Sequence, residues 1–367
     1  MALADERAGR TLSDSEREWL QVRGRLQQRR YELGVEAANL YPATPKVEGT
    51  PLLTHPLWIP PKPLALDAID LFFEPDRPFH GLTGDEEEIP APVLPMRPDR
   101  TRYARYSEAM AELAAPPVFE NRPTYRLLEA DLTGERGRLT FGRGCYFDGV
   151  DVGESAGHEY AAGGRAWREM IGDPCDLSRR PTNMAITTLT IRHDHATGDA
   201  SYLVHRRDPA KVGHAGGLYQ LVPVGVFQPA DNFPKIERND FSLWRLMLRE
   251  FAEELLGVPE LTGLIDYERW PFAQRMAGAS AYCLGLGVDP LTLATDLLTV
   301  VVIDGVLFDD VLGNLVQDNA EGHLVARRES FNAAAVARFS QVEPVQAAGA
   351  AALRLTWLSR RELLSGS

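Results

Sequence analysis

The sequence predicts an α+β domain over residues 181–367, preceded by a large extension over residues 1–180. Three observations carry that reading. Runs rich in β-branched and alternating apolar residues recur at 184–194, 200–208, 217–227, 281–288 and 299–303, with amphipathic helical patterns at 241–256 and 329–338 between or after them. Before residue 180 the texture is irregular and proline-rich. The length of 367 residues corresponds to two domains, or one core and an extension, at about 150 residues per domain.

Within the extension, 13–40 reads as a helix capped by Ser13 or Ser15, with Trp19, Leu20, Val22, Leu26, Leu33 and Ala37 at helical spacing. It reads as a surface helix docked on the body. The proline-rich 42–63 that follows leaves no place for the second helix of a DNA-binding pair. Leu57, Trp58, Ile59, Leu64, Leu66, Ile69, Leu71, Phe72 and Phe73 are too apolar to stay in water. They imply a segment that wraps a neighbouring surface, either the second half of the chain or another subunit. Glu86, Glu87 and Glu88 mark an exposed acidic loop. A helix at 103–114 and strands at 125–131 and 137–142 come next. The stretch 141–161 then concentrates Tyr146, Asp148, Asp151, Glu154, His158 and Glu159. Glu154 and His158 stand i, i+4 on a predicted helix, a spacing suited either to two metal ligands or to a hydrogen-bonded pair.

In the second half, 194–199 supplies a hairpin turn. Gly257 ends the 241–256 helix as a C-terminal glycine, and 353–363 (LRLTWLSRREL) reads as a last strand and short helix.

Composition narrows the function. Lysine and arginine number 39 against 52 aspartates and glutamates, a net charge of −13. That balance opposes non-specific attraction to nucleic acid or an anionic membrane, and handling an anionic substrate then calls for local arginines or a divalent metal. Cys145, Cys175 and Cys283 are widely spaced without a CxxC pair, which argues against a disulfide framework or a cysteine zinc site and for a reducing compartment. The first thirty residues lack the apolar stretch of a secretory signal. The most apolar tract, 291–303, is interrupted by Asp296 and falls short of the ~20 residues of a spanning helix. The expectation is a cytoplasmic protein.

The chemistry concentrates at 216–258. Trp244, Leu248, Phe251 and Leu255 form one apolar helical stripe. Glu250, Glu253 and Glu254, related by three and four residues, gather on an adjacent face near the helix C-terminus. The helix dipole disfavours anions there, so three acids want a cation. Arg249 can neutralise part of the charge, for instance by pairing with Glu253, and oxygen ligands suit Mg²⁺ or Mn²⁺.

This segment, 225–258, resembles the signature of the Nudix hydrolase superfamily. Gly225 matches the opening glycine and Asp231 the first acidic position. Arg249, Glu250, Phe251, Ala252, Glu253 and Glu254 match the core unbroken, and Gly257 and Val258 the close. The departures are Val224 in place of a glycine, aspartate for glutamate at 231, and the extra Leu256 before the closing glycine. Seventeen residues also separate Asp231 from Arg249 where the family has seven.

The resemblance implies an α/β/α sandwich with a mixed sheet. It also implies Mg²⁺ or Mn²⁺ held by Glu250, Glu253 and Glu254, glutamates oriented by Arg249, and a loop-to-helix junction supported by Asp231. The implied activity is hydrolysis of a nucleoside diphosphate linked to another moiety. The alternative is a Nudix-like module that binds a nucleotide derivative as a sensor. The insertion at 232–240 is expected to form a loop overhanging the pocket mouth, and the extension to shape that pocket or form a homodimer interface.

Candidate substrate contacts are Arg206 and Arg207, with His205, at a strand end, where the alternative reading is exposed strand-edge charge. Tyr219, Tyr146, Phe147 and Trp167 are candidates to stack a base or to fill the core. His193 and His195 read as a metal grip or a polar turn. No Walker loop, dinucleotide fingerprint or nucleophile elbow occurs.

Overall fold

The computed structural model describes residues 11–207, 218–313, 315, 318–319, 322–323 and 329–365. Its centre is a seven-stranded mixed sheet. In spatial order the strands are Leu64–Ala65, Ser280–Val288, Thr295–Asp304, Met184–His193, Ala200–Tyr202 and Glu329–Ser330, with Val224–Val226 also paired to Met184–His193. Thr295–Asp304 and Met184–His193 run parallel, in register from Thr295 opposite Met184 to Asp304 opposite His193. The remaining ladders are antiparallel.

Period-2 alternation divides the core in two. Leu297, Val301 and Ile303 pack with Leu243, Leu246 and Met247 of the helix Leu243–Glu250. Leu298, Val300 and Val302 pack with Ala350, Ala351 and Leu353 of the helix Ala347–Leu358. Helices therefore cover both faces of the sheet, and among the described residues no helix is long and apolar enough to cross a membrane.

One sequence expectation fails here. Residues 353–357 belong to a helix, not a strand. The alanines preceding Leu353 favour helix, and their small side chains let it lie close on the sheet. The 217–227 run, which the sequence breaks at Pro223 and Gly225, is interrupted at the proline: Tyr219–Gln220 joins a separate small sheet, and Val224–Val226, which contains Gly225, reaches the central one. Pro223 lacks the amide a ladder needs; Val222 and Pro223 instead offer carbonyls to Thr190 Oγ1 and the Thr188 amide, at 2.6 and 3.0 Å. Residues 322–327, a further run that the sequence allows as a strand, are described only at Gly322–His323, which pairs with Arg206 and Arg207.

The extension does wrap the domain. Leu53 and Val288 exchange backbone hydrogen bonds of 3.0 and 2.8 Å, and Leu64 and Ala65 pair with Cys283 and Tyr282 on the sheet edge. Gly287 makes the approach possible, since a Cβ there would lie 2.3 Å from Leu52 Cδ2. Trp58, Leu64, Leu66 and Ile69 are buried as expected, whereas Leu57 and Phe72 are exposed; Arg138 covers the Phe72 ring at 4.4 Å.

The extension also builds a three-stranded sheet from Ile69–Phe73, Gly137–Cys145 and Pro123–Asp131. One face of that sheet presents Phe73, Tyr125 and Phe141 to Phe227 and Phe241, with ring centroids 4.5–5.7 Å apart. This joins the extension to the segment that follows Gly225.

Removing residues 1–179 strips Leu53 and Leu64 from the sheet edge and uncovers Phe227 and Phe241. Residues 180–367 expressed alone are therefore expected to be poorly soluble and to aggregate on concentration. A soluble fragment with a single cooperative melting transition would overturn this.

Candidate functional site

The site starts at Val224–Val226. After it the chain forms the helix Pro234–Asp240, with proline at its first turn, and then Ser242 caps Leu243–Glu250 by accepting from the Arg245 amide at 3.4 Å. The apolar stripe faces the core as expected, with Leu248, Phe251 and Leu255 buried. The helix widens into a π-helical turn at Phe251–Leu255. Such a turn takes up one additional residue, which accounts for the extra Leu256 before Gly257.

The three glutamates do not converge. Glu250 lies over Gly225 so closely that a Cβ there would stand 2.2 Å from its carboxyl carbon and from Oε1. Glu254, one turn on, accepts from the Val224 amide at 3.3 Å. Glu253 turns instead to the loop beyond the helix and accepts from the Leu261 amide at 3.1 Å, and burial raises its carboxyl above the ordinary range. Two carboxylates thus gather at the glycine strand and the third is committed elsewhere. Among the described residues no group of three or more His, Cys, Asp or Glu side chains is placed to hold a metal ion. A hard cation such as Mg²⁺ commonly takes only one or two protein carboxylates, leaving other positions to water and substrate phosphates. Glu250 and Glu254 fit a site of that kind; a three-glutamate cage does not fit.

Arg249 is buried and does not pair with Glu253. Its Nη2 donates to the Gln228 carbonyl at 2.6 Å, and Nη1 stands 4.0 Å from Asp240. Asp240 is fully buried and accepts from the Ala230 amide at 2.8 Å and from Asn239 Nδ2 and the Tyr267 hydroxyl at 3.1 Å. Asp231, the expected junction acid, only accepts from the next residue's amide. Asp240 therefore takes that place. The signal was present in the spacing, since residues 241–248, eight in all, separate Asp240 from Arg249. That spacing is within one residue of the seven in the signature that the segment resembles.

The insertion is not a loop over a pocket mouth. Its helix docks on the three-stranded sheet, where Arg143 grips Glu237 through two hydrogen bonds of 2.8 and 2.9 Å and Tyr125 donates to the Glu237 carbonyl at 2.5 Å.

The other candidates lie elsewhere. Arg206 and Tyr219 sit on the small sheet, with the guanidinium 5.9 Å from the ring centroid, and Tyr219 packs against Phe339 in the second core. The side chain of Arg207 is outside the described residues. Trp167 is buried with its indole N–H on Val152 and Ser155, and Phe147 stacks on Phe119. His205 is buried on the small sheet.

Glu154 and His158 form a structural cluster. Glu154 meets Arg23 and Arg30, while His158 stacks on Trp19 at 4.9 Å, bonds Tyr106 at 3.1 Å, and is pushed down to about 3 by burial and by Arg23. His193 and His195 face each other at 4.5 Å, with His195 3.7 Å from Asp304.

Two outcomes are expected. Asp240→Ala should cost about 3 kcal/mol in denaturant unfolding, because Arg249 loses its buried acidic neighbour, while Asp231→Asn should stay within about 0.5 kcal/mol. Equal effects would return the junction role to Asp231. Because Glu253 binds its proton more tightly folded than unfolded, its contribution to stability is present at low pH and lost as pH rises through its raised value. Glu253→Gln should therefore melt at or above the parent at neutral pH, and a clear drop would contradict this. The chain matches no protein-family model, and no curated protein matches it.

Proposed function

We propose that the protein is a metal-dependent pyrophosphohydrolase of Nudix type, acting on a nucleoside diphosphate linked to another moiety. The observation that carries this reading is the seating of Glu250 over Gly225 with Glu254 on the adjacent Val224 amide, on a helix that covers one face of a mixed sheet. Glycine lets the backbone approach where any side chain would collide with the carboxylate.

Glu250 and Glu254 would hold Mg²⁺ or Mn²⁺, which when bound neutralises phosphate charge and lowers the pKa of a bound water. Arg249 and Asp240 act by position. Their contacts fix the loop at Gln228 and Ala230 against the helix, so both carboxylates keep one geometry relative to the glycine strand. Glu253 has no part in metal binding in this reading; it holds the chain beyond the helix at Leu261.

The test is metal-dependent phosphate release from nucleotide sugars, ADP-ribose, dinucleoside polyphosphates and nucleoside triphosphates, alongside melting with and without Mn²⁺. Millimolar Mn²⁺ should raise the melting temperature by mass action. Glu250→Gln or Glu254→Gln should abolish the rise and reduce turnover by at least about a hundredfold, while Glu253→Gln keeps the rise. A melting curve unmoved by metal would sink the proposal. Metal-dependent nucleotide binding without release would instead favour the sensor reading, which the diversion of Glu253 from the other two acids supports.

A further inference from the structure

We propose that Arg126 forms the floor of an oxyanion-binding site on the three-stranded sheet, distinct from the glutamate helix, that takes a phosphate or carboxylate group. Six arginines are buried among the described residues: Arg23, Arg30, Arg126, Arg168, Arg180 and Arg249. Five have acceptors. Arg23 and Arg30 meet Glu154, Arg168 donates to the Pro290 and Ala156 carbonyls, Arg180 to Pro174 and Thr295, and Arg249 to Gln228.

Arg126 is the exception. It is 9% exposed, and its Nε, like those of Arg23, Arg30, Arg168 and Arg249, is enclosed without a hydrogen-bond partner. No carbonyl or carboxylate of the described residues bonds the rest of its guanidinium.

The surroundings fit an anion approaching edge-on. Strand alternation turns Tyr125 and Leu127 into the core and Arg126 to the opposite face. There Cζ of Arg126 lies over the Phe79 ring, 4.5 Å from its centroid, so an aromatic face covers the cation from that side. The residue opposite in the ladder is Gly142, where a Cβ would stand 3.7 Å from Nη2 and any longer side chain would cover that nitrogen.

Asp148, whose charge acts on Arg126, directs Oδ2 to the Cys145 amide at 2.7 Å and forms no ion pair with the guanidinium. Burial holds the guanidinium below its usual range, although the Asp148 charge acts in the other direction. A desolvated, unpaired guanidinium is costly, and its planar fork matches the oxygens of phosphate and carboxylate alike.

The experiment is thermal melting of the full chain at constant ionic strength, with chelator present so that no metal acts at Glu250 and Glu254. Inorganic phosphate and acetate are titrated separately. A saturable rise is expected with at least one of them; which one responds tells whether a phosphate or a carboxylate group is the natural occupant. Arg126→Met should abolish the rise and melt no lower than the parent in chloride alone, because an unpaired buried charge has been removed. Arg126→Lys, the variant to use should Arg126→Met fail to fold, should shift the titration midpoint about tenfold higher by losing the bidentate fork. Glu250→Gln should retain the full rise, which separates this site from the one proposed for hydrolysis. No rise in the parent with either anion, or an equal rise in Arg126→Met, would overturn the proposal.

Discussion

The approach of the helix Leu243–Glu250 to the strand Val224–Val226 organises this molecule around one missing methyl group. At Gly225 there is no room for a Cβ beneath the Glu250 carboxyl. The strand is itself held to Met184–His193 by three pairs of residues, from Ala185 opposite Val226 to Thr187 opposite Val224. The helix can therefore lie against the central sheet and still bring two charged side chains to its edge. Were it held further off, Leu246 and Met247 would leave the core they share with Leu297 and Val301, and core packing tolerates such gaps poorly.

The N-terminal half serves that contact from two sides. Its early segment adds backbone pairing at Leu53 and Leu64 to a sheet edge that would otherwise be open to other chains. Its three-stranded sheet takes hold of the insertion through the Arg143–Glu237 clamp and the rings of Tyr125, Phe227 and Phe241. The same insertion carries Asp240, whose hydrogen bonds tie Ala230 to Tyr267. The chain thus links its N-terminal half to the glutamate helix by continuous packing, and the line between residues 180 and 181 does not mark a gap between independent cores.

Buried charge is unevenly settled across the structure. Glu154 is shared by Arg23 and Arg30 inside the helical part of the extension. Asp240 is satisfied by three donors. These arrangements meet the requirement that a desolvated charge be paired and hydrogen-bonded, and they explain why an i, i+4 acid–histidine pair at Glu154 and His158 has structural partners. Sequence spacing places such groups on one helical face but cannot reveal whether a distant arginine arrives to meet them.

What the sequence determined by itself was whatever depends on local periodicity. Residue pattern located the strands at 184–194 and 281–288 to within a residue, the apolar stripe located the helix with Glu250 and Glu254, and the apolar run of Trp58, Leu64, Leu66 and Ile69 announced a segment that had to be covered. What only the tertiary structure decided was which way a side chain turned and which acid met which base. Glu250, Glu253 and Glu254 are equivalent in spacing, yet a backbone amide from Val224 and another from Leu261 draw Glu254 and Glu253 to different places. Asp240 displaced Asp231 because the insertion folded as a helix against a sheet built from residues a hundred positions earlier. The alanine-rich 347–352 carried Leu353 to Trp357 into a helix, and its small side chains pack in the same core as Leu298, Val300 and Val302 of the sheet. Periodicity is encoded within a few residues, whereas pairing depends on partners that chain folding brings from far along the sequence.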